Sequence, residues 1–279
     1  MSQRDKQTSE NRAPNRWIPG LWRHRGLLWQ FTLRNVELRH RGSHLGLIWS
    51  VLNPLLMLSL YVFIFGIVFP GRFNPAHPES RIDYALGILL GLSVFHLFAE
   101  VLGTAPTVIV TNPNFVKKVV FPLEILPASS VGASVFHATI SLVLALVGIV
   151  FVGPGLTANA LWLPFILLPM LPLLLGIAWL ISALGVFFRD ISQLVGFFTM
   201  VLLYASCVFF PSSTLPPYAW AILRFNPLLL AVELLRDVVM WHQAINPFHL
   251  IYLYVSGTLA CLVGYWCFRK TAPAFADVL

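Results

Sequence analysis

Residues 38–56 read LRHRGSHLGLIWSVLNPLL, and the order of residue types within them places the chain. Two arginines and two histidines lead directly into an apolar run, which Asn53-Pro54 then interrupts. A helix in a water-soluble core rarely opens on so charged an edge, whereas a membrane helix commonly emerges from a basic border. Proline lacks the N–H that continues a helix, so within hydrocarbon Pro54 must kink or restart it. The stretch predicts a basic segment ending at Arg39-His40-Arg41, a turn at Gly42-Ser43 with Ser43 as cap, and a first membrane span that bends.

Composition agrees. Of 279 residues, 58% are hydrophobic and only 10% charged, with a mean hydropathy of +0.79. Soluble domains carry about 25% charged residues, so most of this surface must face lipid or other protein. The opening residues MSQRDKQTSENRAPNR are polar and contain no apolar core of a cleaved signal. Residues 1–19 are expected to form a disordered cytoplasmic tail. The three cysteines, Cys207, Cys261 and Cys267, all lie in apolar runs and read as small packing residues. No His/Cys/Asp cluster has metal-ligand spacing.

A membrane helix needs about 20 mainly apolar residues. Six segments qualify, near 44–69, 84–109, 123–152, 159–188, 190–211 and 248–268, within a transmembrane domain at 43–270 followed by a cytoplasmic tail at 271–279. Arg189 and Asp190 make the turn between the fourth and fifth, and Pro164, Pro169 and Pro172 should bend the fourth. With the N-terminus inside, the cytoplasmic side holds Arg4, Lys6, Arg12, Arg16, Arg23, Arg25, Arg34, Arg39, Arg41, Lys117, Lys118, Arg189, Arg269 and Lys270. Only Arg72, Arg81, Arg224 and Arg236 fall outside. The positive-inside rule therefore puts both termini in the cytoplasm of a multi-pass protein in the bacterial plasma (inner) membrane.

Two segments are neither spans nor plain loops. Residues 20–42 stack Trp22, Trp29, Leu33 and Val36 on one side and Arg23, Gln30, Arg34 and Arg41 on another, the pattern of a basic helix lying in the membrane interface. Residues 211–247 are too apolar for an exposed loop, yet their best helix, from Pro227 to about Met240, is short for a span. Two short re-entrant helices are expected there, the first over Ser212–Arg224. Asn226 caps the second and Pro227 takes its first position.

The candidate sites are few. The lysines, Lys6, Lys117, Lys118 and Lys270, do not follow glycine, so the chain has no phosphate-cradling Gly-Lys-Ser/Thr loop. Any ATP and magnesium must be bound by a separate subunit, and the chain itself is expected to be no enzyme and to hold no cofactor. Glu100 is the acidic residue placed well inside a span, with His96 one turn earlier on the same face and His137 in the third span. Three readings stay open for Glu100: a proton relay, a structural pair with His96, or a polar patch lining a conduit. Trp49, Tyr61, Phe197 and Tyr204 could line a passage for sugars or simply anchor and pack their helices. The small residues Ser129/Ala133 and Ser130/Ser134 let another helix approach the third span closely.

Four stretches carry a family likeness: LRHRGSHLGLIWSVLNPLL (38–56), NPNFVKKVVFPLEILP (112–127), FFRDISQLV (187–195) and FNPLLLAVELLRDVV (225–239). In this order around six spans, the chain resembles the membrane-spanning permease of type-2 ABC exporters that move lipid-linked polysaccharides such as O-antigen, capsule or teichoic acid. The resemblance implies an all-α membrane protein with a coupling helix at about 112–121. It assigns seating on the ATPase to Asn112, Lys117, Lys118, Pro122 and Glu124, and an outer gate to residues 211–247 with Asn226, Pro227, Glu233 and Arg236. It also implies a homodimer working with two ATPase copies, the conduit lying between the permeases, and no nucleic-acid partner. Arg34, Arg39 and Arg41 are the candidates for the substrate's lipid diphosphate, since arginine pairs bidentately with phosphate. Three rivals remain: a related ABC permease exporting a lipid or drug, a proton-coupled carrier, and a membrane-embedded glycan enzyme, which should show clustered polar catalytic residues at one membrane face. The carrier should show inverted repeats and several buried charges, which the sequence does not.

Overall fold

A computed structural model describes residues 19–39, 44–68, 73, 80–117 and 121–279. The described residues are helical throughout, with no strand among them. The tail at 1–18, Arg41, the Gly42-Ser43 turn and Lys118 lie outside them.

The described residues begin with a single turn, α1 (Pro19–Arg23), and an amphipathic helix, α2 (Arg25–Arg39). The first apolar run forms α3 (Trp49–Tyr61), which continues as a π-helix over Val62–Val68. Then come α4 (Arg81–Thr104), the short α5 (Pro113–Lys117) and α6 (Ile125–Phe151). A broken helix follows as α7 (Leu163–Leu167) and α8 (Met170–Phe187), then α9 (Ile191–Ala205). The bent pair α10 (Pro217–Leu223) and α11 (Pro227–Val239) precedes α12 (Pro247–Thr271) and a last turn, α13 (Phe275–Val278).

Among the described residues four helices are long and apolar enough to cross a membrane: Arg81–Thr104, Ile125–Phe151, the broken Ala158–Phe187, and Pro247–Val278. The expected first and fifth spans form shorter helices. α3 runs without a break through Pro54, so the helix does not restart there; its irregularity comes later, as the π-helical turns from Val62. α9 has 15 residues, about 22 Å of helix against a hydrocarbon core of about 30 Å. The chain leaves helical geometry at Ser206, and Cys207 takes a left-handed conformation with φ 50°.

The helix α4 is the axis of the molecule. A capping box starts it: Ser80 Oγ accepts from the Asp83 amide at 3.0 Å, and Asp83 Oδ2 accepts from the Ser80 amide at 2.9 Å. It ends ahead of Pro106, earlier than its apolar run, because the proline brings no N–H to continue the ladder; Ala105 itself keeps helical dihedrals, φ −55° and ψ −43°, and its amide donates to the Val101 carbonyl at 2.9 Å. Most of its apolar window is buried by α6, α11, α9 and α3. The broadest helix pair is α8 with α12. There Gly176 and Gly264 face one another's chains so closely that a Cβ on either would collide with backbone. Glycine lets two membrane helices gain dispersion contacts over this length where no hydrophobic drive operates between them.

The helix α2 does not rest on the molecule by its tryptophans. Thr32 and Val36 are buried, Asn35 Nδ2 donates to Ser129 Oγ at 3.0 Å, and Thr32 sits against Gly132. The small residues of the third span thus receive α2. Trp22 and Trp29 stay 71% and 63% exposed, with Leu33 beside them. The helix has three faces, one on protein, one apolar and open, and one basic; the spacing of Leu27, Phe31 and Leu38 indicated a second apolar edge beside the tryptophan stripe.

At the cytoplasmic end expected from the charge distribution, a second core gathers Ile109, Trp179, Phe268 and Phe275 with Phe31 of α2 and Phe115 of α5. The rings of Phe31, Phe115 and Phe121 stand 4.7–5.4 Å apart, so α2 and the loop carrying α5 pack as one unit.

Candidate functional site

A cavity of about 930 Å³ opens between α2, α3, α4 and α6. Its wall on α4 runs from Leu89 past Ser93, His96 and Glu100 to Thr104, then down the turn through Thr107 and Thr111 to Asn112. Trp49, Asn53, Pro54 and Met57 of α3 and Asn35, Leu38 and Arg39 of α2 also line it. Apolar surface and amide or hydroxyl groups alternate around it. This lining accepts a ligand that is part hydrocarbon and part sugar or phosphate. The volume lies near the upper end of small-molecule pockets, about 300–1,000 Å³.

Among the described lining residues the one lysine or arginine, Arg39, and the one carboxylate, Glu100, meet in the cavity. Arg39 Nη1 forms an ion pair with Glu100 Oε2, while Glu100 Oε1 lies 2.8 Å from His137 Nδ1. Arg39 Nη1 also approaches His137 Nδ1 at 3.0 Å. That nitrogen cannot both accept from the guanidinium and donate to the carboxylate, so the tautomer chooses between them. Glu100 is 17% exposed, whereas Arg39 is 49% exposed and shows part of its guanidinium to the cavity. The expected His96–Glu100 pair does not form. His96 is exposed and lines the cavity beside the Phe95 ring, while Glu100 is held from two other helices.

The other expected residues divide. Trp49 and Glu100 line the cavity. Tyr61 and Tyr204 instead flank Phe209, with ring centroids at 6.0 and 6.4 Å, and Phe197 stands 64% exposed beside Phe198. Arg34 is exposed on α2 with its guanidinium 5.6 Å from the centre of the Phe31 ring. Around α5, Lys117 is exposed and Asn112 Nδ2 donates to the Val108 carbonyl at 2.9 Å. Pro122 accepts from the Ile125 amide at 3.0 Å, and the Glu124 carbonyl accepts from Trp179 Nε1 at 3.0 Å. These bonds fix the loop and leave Lys117 presented outward.

The segment 211–247 holds a feature that residue spacing missed. α10 and α11 meet at 101°, and Asn226 caps α11 by accepting from the Leu228 amide at 3.0 Å. Asn226 Nδ2 also donates to the Ala205 carbonyl at 3.1 Å, where α9 ends. Arg236, counted above as an outward loop charge, is fully enclosed at 3% exposure. Its Nε donates to the Gly87 carbonyl at 3.0 Å, its Nη1 to Cys207 at 2.8 Å and its Nη2 to Val208, with the Phe73 ring 4.0 Å away. Tyr84 adds a bond from its hydroxyl to the Phe209 carbonyl at 2.6 Å. Backbone that leaves helical geometry at membrane depth needs such internal donors. Glu233 lines a small cavity of about 150 Å³ with Arg236, Asp237 and Ser212. The signal available in the sequence was an arginine on the apolar side of a short helix; its acceptors lie 28 to 149 residues away.

Fold and cavity together define an all-helical integral membrane protein with an amphipathic chamber between its helices. The chain belongs to the ABC-2 type transporter family, which it matches over residues 26–240. It is 28% identical to the O-antigen export system permease protein RfbA of Klebsiella pneumoniae over 257 residues, 91% of this chain and 95% of that protein. The permease of the same name from Myxococcus xanthus is 27% identical over 230 residues, covering 82% and 84% of the two chains. The polysialic acid transport protein KpsM of Escherichia coli is 25% identical over 245 residues, covering 87% and 92%.

Proposed function

We propose that this chain is the membrane permease of an ATP-driven exporter that carries a lipid-linked polysaccharide, O-antigen in the first instance, from the cytoplasmic face across the bacterial inner membrane. The similarity to O-antigen and polysialic acid exporters over more than four-fifths of the chain carries this reading. The amphipathic cavity supports it, because its lining suits a ligand with a hydrocarbon and a polar part. Without a Gly-Lys-Ser/Thr loop the chain needs a separate ATPase to bind ATP and magnesium.

In this reading two permeases and two ATPases assemble, with both termini of the permease in the cytoplasm and α3 and α9 completing a six-span count. The loop carrying Asn112, Lys117, Lys118, Pro122 and Glu124 seats on the ATPase. The Phe31–Phe115–Phe121 contact would pass its movement to α2 and so to the cavity. The bent pair α10–α11 lies on the outer side, where Asn226 and Arg236 hold the unwound end of α9. The open tryptophan face of α2 rests in the headgroup layer with Arg34 on its basic side.

Genetic depletion tests the reading. Cells losing this chain should accumulate lipid-linked glycan inside and lose it from the surface, and a plasmid copy should restore export. Normal surface glycan after complete depletion would defeat the proposal.

A further inference from the structure

We propose that the cavity between α2, α3, α4 and α6 binds the phosphate head of an amphipathic substrate on Arg39, and that Glu100 is a built-in competitor occupying Arg39 while the cavity is empty. The inference rests on the export reading and specifies where, and by which groups, the substrate's charged end is recognised.

An anion entering a cavity walled partly by Trp49 and Met57 loses hydration and requires a counter-charge. Among the described lining residues Arg39 is the single lysine or arginine, so among them recognition of a phosphate falls to it. Both of its polar contacts run through Nη1, and the side chain is half exposed. Nε and Nη2 have no hydrogen-bond partner among the described residues, which suits a bidentate partner. Glu100 meets Arg39 as an incoming phosphate oxygen would, with an anionic oxygen against Nη1.

The exchange leaves Glu100 hydrogen-bonded. When a phosphate takes Arg39, Glu100 keeps His137 at Oε1, 2.8 Å away. The phosphate replaces Glu100 as the counter-ion of Arg39. The helix need not move as a body, because Asn35–Ser129 and the Phe31 ring contacts hold α2 in place during the exchange. The amides of Asn35 and Asn53 lie along the same chamber and can bond to oxygens next to the phosphate. Discrimination follows from this arrangement. A neutral amphiphile cannot displace Glu100 from Arg39, so the closed pair rejects ordinary uncharged lipid and admits a phosphate-bearing one.

The test uses the purified full chain in lipid nanodiscs, with farnesyl diphosphate as probe and empty nanodiscs as background. Farnesol and inorganic diphosphate separate the contributions of tail and phosphate. Wild type should bind farnesyl diphosphate in preference to both. If the free form of Arg39 is populated about one-tenth of the time, Glu100→Gln should bind the probe about tenfold tighter, since apparent affinity scales with the competent fraction. Arg39→Ala should lose at least tenfold. An affinity unchanged or weakened in a Glu100→Gln protein that elutes and melts like wild type overturns the competition, and undiminished binding by Arg39→Ala overturns the site. Should Glu100→Gln fail to fold, Glu100→Asp withdraws the carboxylate by one methylene and should still tighten binding about threefold; no gain there also overturns the proposal. Inorganic diphosphate binding as tightly as farnesyl diphosphate would assign the cavity to free phosphate and overturn the amphiphile. Any of these refuting results alongside normal glycan export by wild-type cells leaves the export reading standing.

Discussion

Replacing Arg236 with methionine should release the unwound stretch that follows α9. Arg236 donates to three carbonyls, those of Gly87, Cys207 and Val208, from a fully buried position. Each acceptor left unpaired away from water costs about 1–3 kcal/mol. Removing a buried guanidinium returns part of that, because its desolvation no longer opposes folding. Methionine also preserves most of the side-chain volume but gives up the contact with the Phe73 ring at 4.0 Å. A net loss of about 3 kcal/mol follows, or about 6–12 °C in melting temperature at about 2–4 °C per kcal/mol. Cys207 supplies the local readout, since it is buried at 0% exposure inside the pinned segment. With Cys261 and Cys267 changed to alanine, Cys207 should be inert to a small thiol reagent in wild type and react in the Arg236→Met protein. A methionine variant that melts within a degree of the parent and keeps Cys207 inert would refute the reasoning.

Gly91→Ala should destabilise in the same place by about 1–3 kcal/mol, because the added Cβ would stand 2.7 Å from Arg236 Nη2 and 3.1 Å from Val232 Cγ1. In a double mutant with Arg236→Met the two losses should fall short of additive, and full additivity in melting experiments would contradict the shared site. Lys117→Glu should weaken co-purification with the ATPase while leaving the permease fold intact, since Lys117 is exposed on α5; undiminished recovery of the complex would remove the loop from the docking surface. Phe31→Ala should cost about 1–2 kcal/mol for a half-buried ring and lower ATP-driven export more than ATPase binding, so equal loss of both would break the link from loop to α2. A cysteine at Ser80 should react with an impermeant reagent from outside intact cells, and one at Gln193 only after the membrane is opened; the reverse pattern would invert the orientation.

The long apolar runs were legible because 20 or so uncharged residues leave few alternatives, and α4, α6, α8 and α12 follow them closely. The Asn226-Pro227 start of α11 was legible too, since cap and first-turn chemistry are local. The first and fifth expected spans contain α-helices shorter than their apolar runs, because hydropathy counts residues and does not register where backbone hydrogen bonding departs from the α pattern, at Val62 and Ser206. At Glu100, spacing along one helix pointed to His96 four residues earlier, but Arg39 and His137 come from α2 and α6, and contacts between helices leave no mark at helical period. The same limit hid the protein-facing side of α2, where the packed residues include Thr32 and Asn35 rather than a row of apolar ones. Arg236 was named for the outer gate, but its burial and its partners escaped for a related reason. Its acceptors are backbone carbonyls, which every residue has and no residue letter identifies.

The most direct test of the export account places the permease and its cognate ATPase together in sealed vesicles, loaded with a fluorescent lipid-linked glycan on the face that exposes the ATPase. Addition of ATP and magnesium should move the glycan to the opposite face, where an impermeant glycosidase can cleave it. Vesicles lacking the permease, or carrying the ATPase with permease alone and no ATP, should show no protected-to-cleavable transfer. Transfer at the same rate without this chain, or no transfer by an assembled complex that hydrolyses ATP in the presence of the glycan, would contradict the account.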